Sequence, residues 1–80
     1  MSTTVVVEFT IEPFVEGEPG SHVTAAIAAV EAMGLSVELG PFGSSFVVSR
    51  EKVGDAVRAV LDAAYSNGAT HVNVNVEPHA

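Results

Sequence analysis

The chain of 80 residues contains no cysteine. Disulfide bonds and thiolate metal sites are therefore excluded as ways of stabilising so short a protein. A domain of this size buries only a modest share of its surface. Small domains therefore usually depend on disulfide bonds, a metal or a partner chain for stability. We expect a single domain, residues 1–80, that associates with copies of itself as a homodimer or homotetramer.

Basic side chains are also scarce. Three lysines and arginines stand against ten aspartates and glutamates, and the formal net charge is −7. Binding to nucleic acid or to an anionic membrane needs clustered Lys and Arg, so we exclude both partners. An acidic surface suits a cationic ligand, although the charge also has the simpler role of keeping a protein in solution.

Long apolar runs are missing as well, and no segment could span a bilayer. The first four residues carry no basic group ahead of the apolar stretch that begins at Val5, so we see no secretory signal peptide. The expected location is the cytoplasm.

Four short segments alternate apolar and polar residues, which predicts strands with one buried face. They occupy residues 5–12, 35–39, 44–48 and 71–77. Two further segments have apolar residues at helical spacing, one after Ser21 and one after Ser49, and these serines are the expected N-caps. Gly34 and Gly68 are expected to end the two helices.

The order strand, helix, strand, strand, helix, strand predicts an α+β fold. Right-handed crossovers from both halves place both helices on one face of a four-stranded antiparallel sheet, a ferredoxin-like βαββαβ arrangement. The alternation predicts the side chains on the helix-covered face: Val5, Val7, Phe9, Ile11, Leu35, Val37, Leu39, Phe46, Val48, Val72, Val74 and Val76.

The opposite face of the sheet, called the open face below, should be bare in a monomer. Its expected side chains are short and polar or acidic, with no Lys or Arg: Val6, Glu8, Thr10, Glu12, Ser36, Glu38, Ser45, Val47, His71, Asn73, Asn75 and Glu77. Such a surface can hold a polar heterocycle, pack against a second subunit, or be an ordinary solvated sheet face.

Catalytic patterns are weak in this chain. His71 can act as a ligand or an acid–base group, but a lone strand histidine is more often a plain surface residue. The three histidines have no metal-ligand spacing, and neither a nucleophile elbow nor a Walker phosphate loop is present. Glu8 and Glu38 could share a proton if they were adjacent. We therefore expect no enzyme activity, no metal and no cofactor.

One segment resembles a known family. Residues 34–44 read Gly-Leu-Ser-Val-Glu-Leu-Gly-Pro-Phe-Gly-Ser, which is similar to the G-L-x-x-x-L-G-P-x-G-T/S motif of the small thiamine-binding proteins of bacteria and archaea. The Val-rich first strand running into a proline, and Gly68-Ala69 before a Val-rich last strand, are also similar. The resemblance extends over nearly the whole chain.

This resemblance implies an oligomeric ferredoxin-like subunit that binds thiamine or its hydroxymethylpyrimidine part without catalysis. The motif positions that it marks as ligand-binding are Glu38, Gly40, Pro41, Gly43 and Ser44. Phe42 and Phe46 are candidates for stacking on a ring, although Phe46 is expected in the core. The chain departs from the family at Val47, where an acidic residue is common.

Further binding candidates follow from the open face alone. Glu8, Thr10, Asn73 and Asn75 share that face with Glu38 and offer carboxylate, hydroxyl and amide groups. Two hypotheses remain open at this point: a binding protein for thiamine or a related pyrimidine, and a structural or regulatory module whose open face serves only to pair subunits.

Overall fold

The structure, a computed structural model, describes residues 3–13, 20–40 and 43–79. Its elements follow the predicted order and are β1 (Thr4–Glu12), α1 (Ser21–Glu31), β2 (Glu38–Gly40), β3 (Gly43–Ser49), α2 (Val53–Ser66) and β4 (His71–Pro78). Two helices accompany a four-stranded antiparallel sheet, so the predicted α+β, ferredoxin-like fold class is confirmed.

The sheet has the strand order β2-β3-β1-β4, and each neighbouring pair is antiparallel. β1 lies inside the sheet, with β3 on one side and β4 on the other. Val7, for example, lies opposite Phe46 of β3 and Val76 of β4. Because residues opposite one another point to the same face, these registers decide which side chains share a surface.

The core lies between one face of the sheet and both helices. The buried apolar side chains form one cluster, which unites the two central strands with both helices: Val7, Phe9, Ile11, Phe46 and Val48 with Ala26, Val30, Ala56, Val60 and Ala64. Every helical member except two valines is alanine, which lets the helix backbones approach the sheet closely. The rings of Phe9 and Phe46 meet at a centroid distance of 6.0 Å with an interplanar angle of 59°.

The second strand is shorter than predicted. It comprises Glu38–Gly40 and not residues 35–39, and Leu39, predicted on the helix-covered face, is 68% exposed. β2 is an edge strand, so a residue on its helix-facing side can extend past the helices. Val76, near the end of the other edge strand, is 46% exposed for the same reason.

The helix starts also differ from expectation. Gly20 is the N-cap of α1, and Ser21 is the first helical residue. Ser49 still belongs to β3; its carbonyl accepts a bond from the Lys52 N–H at 3.0 Å, and Lys52 is the N-cap of α2. The two glycines expected after the helices do have positive φ, 83° at Gly34 and 96° at Gly68.

Within the described part of the chain, neither helix has the length and apolar character needed to cross a bilayer.

The opposite orientations of Phe46 and Val47 provide a test of the fold. Phe46 is 2% exposed and Val47 is 41% exposed. We expect Phe46→Ala to lower the free energy of unfolding by about 3–5 kcal/mol, because it removes a ring from a packed core. Val47→Ala, the matched control, should cost no more than about 1 kcal/mol. Equilibrium urea unfolding measures both, and equal losses would contradict the assignment of the two faces.

Candidate functional site

A row of polar side chains crosses the open face. Glu38 of β2 lies opposite Ser45 of β3, Ser45 lies opposite Glu8 of β1, and Glu8 lies opposite Asn75 of β4. Neighbouring strands are about 4.8 Å apart, so the backbones of Glu8 and Glu38 are separated by about 10 Å. With Ser45 between them, the two glutamates are not cross-strand neighbours, and the arrangement does not favour a shared proton.

The next row has side chains only on its β1 and β4 positions. Gly40 pairs with Gly43, and Thr10 pairs with Asn73. A Cβ added to Gly43 would lie 2.9 Å from the Phe9 carbonyl oxygen and 3.0 Å from Thr10 Cγ2, so β1 and β3 leave no room for one. Gly43 also has a φ of 156°. Because neither glycine has a side chain, the surface of the sheet is recessed at this pair, beside the polar row.

The two rows line a pocket with a volume of about 440 Å³, within the usual range for small-molecule sites. All four strands contribute to its lining: Glu8, Phe9, Thr10, Glu38, Leu39, Gly40, Gly43, Ser44, Ser45, Asn73 and Asn75. The Phe9 ring is packed in the core, so this residue can offer the pocket only its backbone.

The structure brings together nearly all of the predicted site residues. Every one of them lines this pocket except Pro41, which lies outside the described residues, as does the stacking candidate Phe42. Phe46 lies in the core, as expected. The binding roles of the lining residues remain predictions.

Ser45 is the residue that sequence reasoning passed over. It was placed on the open face but not among the binding candidates, and the register puts it between the two glutamates. Ser44 is 8% exposed and belongs to the helix-facing side of β3. The alternation along β3 contained this signal, because the face that holds Phe46 also holds Ser44. Of the two hydroxyls, that of Ser45 is better placed to meet a ligand.

The pocket is acidic. Its lining includes two carboxylates and no basic side chain. The three basic residues of the chain are Arg50, Lys52 and Arg58. The Arg50 N–H bonds the Thr3 carbonyl at 3.0 Å, beyond the far end of β1, and Thr3 lies about 20 Å along that strand from Thr10. A cationic or hydrogen-donating ligand therefore meets little electrostatic opposition here.

Comparison with known proteins places the chain in a family. The model of a family described as thiamine-binding protein matches residues 7–79. The chain belongs to the thiamine-binding protein family. A comparison with curated proteins found no match.

Solved structures of similar proteins share the fold. A candidate thiamine biosynthesis/salvage protein from Thermotoga maritima has a TM-score of 0.71 at 20% identity, over 95% of this chain and 84% of that one. A domain of unknown function from Bacillus cereus has a TM-score of 0.69 at 24% identity, over 99% and 77%. A hypothetical protein from Methanocaldococcus jannascii has a TM-score of 0.62 at 22% identity, over 98% and 80%. Identities this low carry the fold and nothing further.

Two further residues that the sequence analysis singled out lie outside the pocket of this thiamine-binding family member. Val47, the position noted above as a departure from the family pattern, is opposite Val6 on the open face, one row away from Ser45 and Glu8. His71 has its Nδ1 3.9 Å from a Glu12 carboxylate oxygen and 3.2 Å from the Thr70 hydroxyl. Among the described residues, no group of three potential metal ligands converges.

Substitutions at two glycines test the close approach of β1 and β3 at Gly43. Gly43→Ala should lower the free energy of unfolding, by about 1–3 kcal/mol, because the new methyl meets the Phe9 carbonyl and the φ is unfavourable. Gly54→Ala is the matched control: Gly54 lies in α2 with nothing within 4 Å of an added Cβ. This change should stabilise the protein by about 0.5–1 kcal/mol. Thermal unfolding compares the two, and a neutral Gly43→Ala would argue against the close approach of β1 and β3.

Proposed function

We propose that the chain binds thiamine or its hydroxymethylpyrimidine part in the pocket of the open face. The proposal rests on the pocket lining: carboxylates, amides and hydroxyls converge without a basic group, in a chain whose family is thiamine-binding. The name of the Thermotoga maritima relative, which refers to thiamine biosynthesis or salvage, points to the same ligand class.

The chemistry of thiamine fits these groups. Its thiazolium ring is a permanent cation, which a carboxylate stabilises, and the exocyclic amine of its aminopyrimidine donates to carboxylate or amide oxygens. Glu8 and Glu38 lie on strands about 10 Å apart, so one can face the cation while the other accepts from the amine. Asn73 and Asn75, opposite Thr10 and Glu8, can both donate and accept at ring nitrogens.

The proposed role is binding without catalysis and without a cofactor. The pocket lining includes no His, Lys, Tyr or Cys, and its two glutamates lie on strands that β3 separates, so they do not form the adjacent acid–base pair that proton transfer between side chains needs. We further propose that the protein works in the cytoplasm as a homodimer or homotetramer.

A second candidate function rests on a separate observation. Val6 and Val47 lie side by side on the open face, and Val47 is 41% exposed. An apolar pair beside the pocket suits contact with another subunit, so a structural or regulatory interaction module remains the alternative. The two functions differ in ligand-dependent stability, because only a binding protein gains stability in proportion to ln(1 + [L]/Kd).

A substitution at Glu38 tests the proposed contact between this residue and the ligand. Glu38→Gln should weaken thiamine binding by about tenfold to a hundredfold, because loss of a charged hydrogen bond costs roughly 1.5–3 kcal/mol. Glu31→Gln is the matched control, with the same change of charge at the end of α1, away from the pocket lining. It should bind like the wild type. Isothermal calorimetry on the folded proteins measures both affinities.

The outcomes separate the claims. No heat from the wild type with millimolar thiamine or hydroxymethylpyrimidine would refute the proposed ligand. Equal binding by wild type and Glu38→Gln would leave the ligand in place and reject the role of Glu38. Equal weakening in both variants would show that the net charge of −7, and not a contact in the pocket, controls affinity.

The acidic lining also predicts selection among forms of thiamine. A phosphate ester would bring a dianion near Glu8 and Glu38, with no basic residue in the lining. Coulomb repulsion over about 10 Å in water then amounts to roughly 1–2 kcal/mol before screening by salt. We expect thiamine monophosphate to bind about fivefold or more weakly than thiamine at low salt, with a smaller difference at high salt. Tighter binding of the phosphate ester would contradict the pocket assignment.

A further inference from the structure

The pocket lining has no positively charged hydrogen-bond donor. Its two carboxylates, Glu8 and Glu38, can only accept when they are ionised, and no basic side chain lines the pocket. Ser45 lies between them in the register, and its single O–H can donate to one of them at a time. A ligand that displaces water from these carboxylates must therefore supply donors of its own.

Glu8 has polar neighbours on both sides. β1 lies between β3 and β4, with Ser45 opposite Glu8 on one side and Asn75 opposite it on the other. Opposite residues of an antiparallel pair have Cα atoms about 4.5–5.5 Å apart, so a hydroxyl and an amide lie close to any group that Glu8 holds. Glu38 is on the edge strand β2 and has Ser45 as a neighbour on one side.

The aminopyrimidine of thiamine has its exocyclic amine next to a ring nitrogen. In the neutral ring the amine donates and the ring nitrogen accepts, so only one oxygen of a carboxylate finds a donor. Protonation turns the ring nitrogen into a second donor beside the first. The two donors then match the two carboxylate oxygens, as two N–H groups of an arginine do, in a charge-assisted and bidentate pair.

We propose that the pocket binds the aminopyrimidine in its protonated form, paired through its amine and the adjacent ring nitrogen with the carboxylate of Glu8. The proton comes from the solvent when the complex forms, and it lies between the ring nitrogen and the carboxylate. Glu8 is chosen because a ring with several polar positions also needs the groups of Ser45 and Asn75, which leaves Glu38 for the rest of the ligand. This inference rests on the proposed function and specifies the form of the ligand.

The ionisable groups around Glu8 favour a positive charge on the ligand. The open-face residues of β3 are not ionisable, and both helices pack on the other face of the sheet. β2 contributes Glu38, and β4 contributes Glu77 in the row next to that of Glu8. His71 lies opposite Glu12 at the end of β4, and its Nδ1 is 3.9 Å from the Glu12 carboxylate. The charges nearest to Glu8 are therefore negative, and negative charges favour a protonated base.

Calorimetry in two buffers measures the proton. Hydroxymethylpyrimidine is titrated into the wild-type protein at pH 7 in phosphate and in Tris, whose ionisation enthalpies differ. The difference between the two binding enthalpies gives the number of protons taken up. We expect about 0.5–1 proton per ligand, and an affinity that rises by about threefold to tenfold for each unit that the pH falls between 8 and 6.

This experiment separates the inference from the proposed function. Clear binding with equal enthalpies in the two buffers would overturn the protonated form and leave the ligand assignment in place. No heat from hydroxymethylpyrimidine or thiamine in either buffer would refute the ligand assignment and the inference together.

Glu8→Gln tests which carboxylate pairs with the ring. An amide suits the neutral ring, because it accepts from the amine and donates to the ring nitrogen, as glutamine does with adenine. Glu8→Gln should therefore bind with uptake of less than about 0.2 proton and with an affinity that hardly changes between pH 6 and pH 8. Glu38→Gln, which removes the same charge, should keep the proton uptake whatever its loss of affinity. Uptake lost in Glu38→Gln and kept in Glu8→Gln would overturn the assignment to Glu8.

Oxythiamine tests the donor pattern with no change in the protein. It has a carbonyl in place of the amine, so an oxygen of Glu8 would face another acceptor. We expect it to bind at least about tenfold more weakly than thiamine at pH 6, without proton uptake. Equal or tighter binding of oxythiamine would overturn the inference. Circular dichroism checks the fold of Glu8→Gln; if this variant does not fold, the proton uptake of the wild type and the oxythiamine result decide.

Discussion

The rest of the structure depends on the pairing of β1 along both of its edges. The Arg50 N–H bonds the Thr3 carbonyl and the His79 N–H bonds the Thr4 carbonyl, so odd-numbered residues of β1 bond β3 and even-numbered ones bond β4. The same alternation sends odd side chains into the core and even ones to the open face. A slip of one residue would exchange Val7 and Phe9 for Glu8 and Thr10 beneath the helices. Burying those polar groups without partners would cost several kcal/mol. The core therefore specifies the register, and the register assembles the polar row of the pocket.

Close packing of the backbone gives the pocket its depth. The absent side chains of Gly40 and Gly43 lower the sheet surface beside the polar row, and the nearness of the Phe9 carbonyl explains why a side chain at Gly43 is excluded. The glycines of the family motif thus have a steric role, which a reading of turn geometry alone would not reveal. Glu38 contributes a carboxylate to the same lining. Shape and charge therefore come from β2 and the first residue of β3, which are close together in the sequence.

Alternation and order were enough to predict the fold class and the membership of the open face. The hydrophobic pattern reports on burial between layers, and for β1 and β3 the pattern and the burial agree. It failed at Leu39, because alternation says which way a side chain points but not how far the helices reach over an edge strand. It also missed Ser45, because the sequence does not show that Glu38, Ser45 and Glu8 lie in one row. That row depends on pairing between distant segments, which no local pattern contains.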